Sequence, residues 1–299
     1  MGAGHESVLL EEVCEWLQPA SGKTLLDGTL GLGGHAGRWL ERSAPDGQVV
    51  GIDRDPQALV EARRFLSVHR DRALTLQGNF SDAWKMLEEA GRSPVDAALL
   101  DLGVSSLQLD SPERGFSFRA DGPLDMRMDP AQGLTAEKAV NEWDEKTLQE
   151  VLWNYGEERY TRQIVRRILE ARASQRIRTT KELENIVFHG VPRTYRYGRI
   201  HPATRTFQAL RIAVNGELAA LDEFLPQAAG HLKEGGRLAV ISFHSLEDRR
   251  VKQAFRAMEK EGLGKVLTKK PVLPGEAEME RNPRSRSAKM RVWEAGGGR

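Results

Sequence analysis

Short apolar runs alternate with helical spacing through the first hundred residues of this chain. Residues 24–30, 48–53, 73–77 and 95–101 read as strands, each bounded by turn-forming or polar residues. The last, Val95-Asp96-Ala97-Ala98-Leu99-Leu100-Asp101, is almost continuously apolar, as a parallel strand buried on both faces should be. A helix is predicted from near His35 to Glu41, and another from Pro56 through Phe65, where the fixed φ of proline suits a first helical turn. Strand and helix in repeated alternation predict a doubly wound, mostly parallel α/β sheet.

The rhythm stops at Leu107. Residues 110–133 are turn-rich and residues 136–186 carry helical periodicity, with no strand pattern before about Thr206, so an all-helical domain is expected inside the sheet. Strand character returns at 236–243, followed by a helix over 246–260. Residues 266–269 and 287–294 predict an antiparallel edge. The expected organisation is a sheet domain of residues 1–106 and 207–299 interrupted by a helical domain of residues 107–206.

Composition narrows the class. With 299 residues, 39% hydrophobic and 29% charged, the chain can bury a full-sized core. One cysteine, Cys14, cannot form an intrachain disulfide, and the first residues have neither the basic nor the apolar region of a leader, so a cytoplasmic protein is expected. The myristoylation pattern fails at Glu6, and no apolar stretch is long enough to span a bilayer, which argues against a membrane role. Net charge is only +1, but it is segregated: residues 159–211 carry 13 basic and three acidic side chains, and residues 281–299 six and one. Such clustering fits a solvated helix face or a polyanion-binding surface, and choosing between them requires other evidence.

That evidence starts at Asp27-Gly28-Thr29-Leu30-Gly31-Leu32-Gly33-Gly34-His35-Ala36-Gly37, where the first strand enters its helix. Glycines there let backbone approach a ligand closely, and the helix start offers unpaired N–H groups. Asp53 closes the second strand 22 positions after Gly31, the usual place for an acid that accepts from ribose hydroxyls. An adenosine-containing cofactor is expected. A nicotinamide dinucleotide fits this turn, and a nicotinamide-dependent oxidoreductase is one alternative. S-adenosylmethionine fits better, because Asp27 suits a methionine ammonium and Asp101-Leu102-Gly103-Val104-Ser105-Ser106 puts an acid and two hydroxyls at the fourth strand tip. Tyr195-Arg196-Tyr197-Gly198-Arg199 interleaves rings with guanidinium groups as RNA-contacting loops do, and a non-catalytic RNA-binding ribosome-assembly protein is a second alternative.

Larger motifs carry a resemblance that favours the S-adenosylmethionine reading, while the two alternatives stay open. Val8-Leu9-Leu10-Glu11-Glu12-Val13, Gly51-Ile52-Asp53-Arg54-Asp55-Pro56, Glu113-Arg114-Gly115-Phe116-Ser117-Phe118, Gly122-Pro123-Leu124-Asp125-Met126-Arg127-Met128, Tyr155-Gly156-Glu157-Glu158-Arg159, His201-Pro202-Ala203-Thr204-Arg205-Thr206-Phe207-Gln208 and Ile241-Ser242-Phe243-His244-Ser245-Leu246-Glu247-Asp248, with the Asp27–His35 and Leu99–Ser106 stretches, closely resemble the bacterial small-subunit rRNA cytosine-N4 methyltransferase H family. The resemblance spans nearly the whole chain. It departs from the family at Ser7, commonly Pro, and at Ala36, commonly Ser.

The resemblance implies a Rossmann-like class I methyltransferase that uses S-adenosylmethionine to methylate N4 of a cytidine in the decoding region of 16S rRNA. Its partner would be the small ribosomal subunit, and whether it forms a homodimer is left open. It also implies cofactor contacts at Gly33, Gly34, His35, Asp53, Phe80, Asp101 and Gln108. Asp101 and Ser105 are the candidate catalytic groups, Phe116, Phe118 and Phe243 the candidate stacking rings, and His244 a helix cap. The seven histidines form no zinc motif, so no metal is expected. Trp16, Trp39, Trp84, Trp143 and Trp153 read as packing residues, and Arg193, Arg196 and Arg199 as RNA contacts.

Overall fold

A computed structural model describes residues 6–296, the Arg70 side chain excepted. Readings of the leader and lipidation region at residues 1–5, and of Arg299, lie outside the described residues. The chain forms two compact units, Met1–Gly103 with Leu218–Arg299, and Val104–Glu217.

The first unit begins with α1 (Leu10–Leu17), β1 (Thr24–Asp27), α2 (Gly34–Arg42), β2 (Gln48–Asp53), α3 (Pro56–Leu66), β3 (Ala73–Gln77), α4 (Ala83–Glu89) and β4 (Val95–Asp101). In the second unit lie α5 (Ser106–Asp110), α6 (Ala136–Glu142), α7 (Glu145–Gly156), α8 (Thr161–Ser174), α9 (Thr180–Gly190), α10 (Arg193–Arg196) and α11 (Ala203–Asn215). The first unit is completed by α12 (Glu217–His231), β5 (Leu232–Ser242), α13 (Ser245–Lys260), β6 (Gly264–Val266), α14 (Glu276–Arg281) and β7 (Lys289–Ala295).

The sheet runs in the order β3-β2-β1-β4-β5-β7-β6. Strands β1 to β5 pair in parallel, and β7 is antiparallel to β5 and β6. This is a doubly wound, mostly parallel sheet with an antiparallel edge, as the sequence predicts. The two-residue alternation shows why apolar runs become its strands. Leu25, Val49, Ala97, Leu99, Ala239 and Ile241 join one core with α1, α2 and α3, whereas Leu26, Val50, Ala98, Leu100, Leu238 and Val240 join the other with α4, α12 and α13. Winding reverses between β1 and β4, the point where ligands bind at the carboxyl ends of open α/β sheets.

Four sequence expectations shift. β1 ends at Asp27 rather than Leu30, because Gly28 N donates across to Leu99 O and Leu30 N to Ile52 O as the chain leaves the ladder. β6 is Gly264–Val266, earlier than predicted. Trp153 is not a packing residue: it is 62% exposed on α7, whereas Trp39 and Trp84 are buried and Trp84 Nε1 donates to Phe224 O at 3.0 Å. Ala203–Asn215, which straddles the expected boundary at residue 206, packs mainly on α7 and belongs with the inserted helices. Among the described residues no helix is long and apolar enough to cross a membrane.

Candidate active site

Gly33, Gly34, His35, Asp53, Phe80 and Asp101 all fall in the first unit, at or after the carboxyl ends of β1, β2, β3 and β4. Gly33 is the N-cap of α2 at φ +88°, a conformation that L side chains rarely adopt. Gly28 sits where a Cβ would come within 2.6 Å of Leu100 Cδ2 and 3.2 Å of Phe80 Cβ, so backbone and ring approach closely at the β1 tip. Asp53 holds the turn: its Oδ2 accepts from Gly31 N at 2.7 Å and its Oδ1 from Asp55 N at 2.9 Å. The glycine turn and the strand-end acid are thus one hydrogen-bonded device.

Asp101 N donates to Thr29 Oγ1 at 2.6 Å, tying the β4 tip to the turn after β1. His35 Nε2 bonds Val8 O at 2.9 Å, and because a carbonyl can only accept, that nitrogen carries a proton. Its Nδ1 lies 3.8 Å from Asp101 Oδ2. Asp101 Oδ1 is buried and has no hydrogen-bond partner among the described residues.

The carboxylates perturb one another. Burial pushes Asp27 from 3.8 to about 7, Thr29 N–H opposes the rise and Asp53 adds to it. Asp53 is raised chiefly by burial. Asp101 is raised well above the ordinary range, first by burial and then by Asp27, Glu247 and Glu278. A group of acids that resist ionisation together is complementary to a cationic ligand, which would restore their charge.

Sequence reasoning missed Glu247. This buried carboxylate accepts from Phe243 N at 2.8 Å, and its own N–H donates to His244 Nδ1 at 3.4 Å, so it joins the β5 tip to the cap of α13. Its place in Phe243-His244-Ser245-Leu246-Glu247 was the available signal. Phe243 is half-buried and approaches Gly103 Cα closely enough that a Cβ there would lie 3.4 Å from its ring.

Ser105 and Gln108 lie in the second unit, where they form the capping box of α5. Ser105 Oγ accepts from Gln108 N, and Gln108 Oε1 from Ser105 N, both at 3.2 Å. Phe116 is buried in that unit's core, and Phe118 packs against His201 and Phe207 at 4.8 and 4.9 Å. Of the three candidate rings, Phe243 alone belongs to the unit that carries Asp101.

A family model described as the MraW methylase family matches residues 2–296. The chain belongs to the MraW methylase family. It is 52% identical over 290 residues to a ribosomal RNA small subunit methyltransferase H of Synechococcus elongatus, covering 97% of this chain and 94% of that one. A protein of the same description from Syntrophotalea carbinolica is 50% identical over 304 residues, with 96% of each chain covered. An rRNA methylase structure from Streptococcus thermophilus superposes with a TM-score of 0.44 at 12% identity, over 98% of this chain and 99% of that one. This methylase is therefore an S-adenosylmethionine-dependent methyltransferase. The acids fit that cofactor: Asp27 and Asp101 suit its positive charges, and Asp53 its ribose hydroxyls.

Proposed function

We propose that this methylase transfers a methyl group to the exocyclic N4 amine of a cytidine in the decoding region of 16S rRNA, with the small ribosomal subunit as its partner in the cytoplasm. The full-length relatives named as small-subunit rRNA methyltransferases support the substrate class. The observation that carries the amine as target is Asp101, a half-buried carboxyl whose buried Oδ1 has no hydrogen-bond partner among the described residues and whose proton affinity is raised. A second observation argues against ring-carbon methylation through a cysteine adduct: Cys14 is the only cysteine, 4% exposed on α1, with burial pushing its thiol to about 11.

Gly33, Gly34, His35, Asp53, Phe80 and Asp101 would hold the cofactor; Gln108, which the resemblance adds, belongs to the second unit. When bound, the cofactor supplies an electrophilic methyl on a positively charged sulfur. The cytosine amine shares its lone pair with the ring and is a poor nucleophile. Asp101 is assigned the acceptor that draws this pair back onto nitrogen and takes up the released proton. Orientation of the amine provides much of the remaining acceleration. Phe243 is the ring placed to stack on a base swung out of its helix. Ser105, whose hydroxyl caps α5, is the weaker candidate for the acceptor.

The inserted unit is assigned to substrate recognition. Arg193 and Arg199 have no side-chain partner among the described residues and belong to its exposed basic surface. Arg196 differs: Nε donates to Val191 O, Nη2 to His189 O, and the guanidinium lies 5.4 Å from the Phe188 ring centre. Neutralising Arg193 and Arg199 together is expected to weaken binding to small subunits and flatten its salt dependence, with an unchanged melting temperature. Arg196→Ala is expected instead to lower the melting temperature. Binding of the double variant indistinguishable from the parent's at three salt concentrations would remove these two residues from the interface.

The function itself is tested by incubating labelled cofactor with small subunits from a strain lacking this enzyme and mapping the modified nucleotide. Label on N4 of a decoding-region cytidine is the expected result. Label on another atom or elsewhere in the RNA overturns the assignment.

A further inference from the structure

The basic segment of the inserted unit contains two kinds of cation. Arg167 and Arg176 pair with Glu170 and with Glu137 and Glu142, and Arg211 pairs with Glu217, so their charges are locally neutralised. Arg159 is different. It is exposed, makes no hydrogen bond or ion pair among the described residues, and yet is held: its guanidinium carbon lies 5.0 Å from the centre of the Tyr160 ring and 4.8 Å from that of Tyr195.

The clamp is anchored from below. Glu158 is fully buried, and its two oxygens accept from Tyr160 N at 2.8 Å and from the Tyr195 hydroxyl at 3.0 Å. Glu158 thereby fixes the Tyr195 ring through its hydroxyl and the Tyr160 backbone beside it, and the two ring centres sit 4.8 Å apart at 57°. A buried carboxylate is costly to maintain, and two donors are fewer than it can accept. What this arrangement provides is a fixed pair of ring faces for one cation.

We propose that Arg159, packed against the adjoining rings of Tyr160 and Tyr195, is a preorganised binding site for a backbone phosphate of the RNA substrate. The inference rests on the rRNA reading above and deepens it by naming a contact. The rings restrict the guanidinium while its N–H groups remain unfilled by protein. A planar fork with free donors matches two phosphate oxygens, whereas a lysine ammonium would not. The ring faces next to Arg159 are already used by the cation, so the group offered to the ligand is the N–H edge rather than a stacking surface. Glu158 acts through Tyr195 and is a positioning residue.

The test measures binding of the intact protein to small ribosomal subunits that lack the modification, at several monovalent salt concentrations and fixed magnesium. Arg159→Ala is expected to weaken binding about tenfold at low salt and to reduce the slope of log affinity against log salt by ~0.7, the share of one phosphate contact. Arg159→Lys is expected to restore the slope but only part of the affinity, because the charge returns without the fork. Tyr195→Leu, which removes one wall of the clamp, should keep the slope and lose part of the affinity. Melting temperature and cofactor binding by dialysis are expected to match the parent for both Arg159 variants. An Arg159→Ala protein with the parent's affinity and slope overturns the proposal, as does a loss of affinity with no change in slope. Either result leaves the methylation reading intact if the parent still modifies its cytidine. A parent that neither binds nor modifies the subunits overturns both.

Discussion

Asp101→Asn is expected to lower methyl transfer to unmodified small subunits by about a thousandfold, within the usual range for loss of a positioned proton acceptor. The amide matches the carboxyl in shape and can still make one hydrogen bond, so the β4 tip should keep its place, with Asp101 N–H on Thr29 Oγ1. What it cannot do is take up a proton. Single-turnover transfer from labelled cofactor isolates the chemical step, and dialysis of the cofactor separates a binding defect from a catalytic one. Transfer within tenfold of the parent, at normal cofactor affinity, would dismiss Asp101 from the mechanism. The parent's transfer rate should also rise with pH as Asp101 ionises. Burial and the neighbouring Asp27, Glu247 and Glu278 have raised its proton affinity, so that rise should lie above the ordinary carboxylate range.

Asp27 should make cofactor affinity itself depend on pH. Its carboxyl is 1% exposed and shifted to about 7, so in the ligand-free protein it is protonated below neutrality. A cationic ligand favours the carboxylate, and binding must then expel a proton. The dissociation constant is expected to rise close to tenfold for each pH unit below 7 and to level off above it. Calorimetry in buffers of different ionisation enthalpy should detect the released proton. Asp27→Asn should flatten the profile.

The same shift predicts a stability change of opposite direction. The folded protein holds a proton that the unfolded chain gives up near 3.8, so without ligand, stability should fall as pH rises from about 4 to about 7. One proton corresponds to about 1.4 kcal/mol per pH unit. Denaturant unfolding of the parent and Asp27→Asn across that window measures the difference. A parent curve parallel to the variant's would show that Asp27 ionises normally.

Much of the first unit was legible because its information is local. β2, β3 and β4 occupy the predicted residues: β2 and β4 are apolar runs between turn signals, suited to a sheet buried on both sides, and β3, the half-buried edge strand, shows its leucines in alternation. Gly31 and Asp53 were also readable as a pair, because a glycine turn and a strand-end acid are tied by a fixed βαβ geometry. Ser105 illustrates the limit. A hydroxyl at the end of a strand looks the same in sequence whether it serves chemistry or a helix cap, and here it accepts from Gln108 N. Arg196 and Arg159 likewise cannot be told apart as letters, yet one is bonded to the carbonyls of His189 and Val191 and the other packs against two rings with no hydrogen bond among the described residues.

The order of the strands, the glycine turn, the interruption of the sheet and the family were determined by the sequence alone, because periodicity and motif spacing are properties of neighbouring residues. The gathering of Asp27, Asp101 and Glu247, the exposure of Trp153, and the separation of spent from available arginines were decided only by the tertiary structure. These depend on which strands pair and in what register: Asp27 lies beside Leu99, two residues before Asp101, and so acids far apart in the chain share one buried space and alter each other's charge.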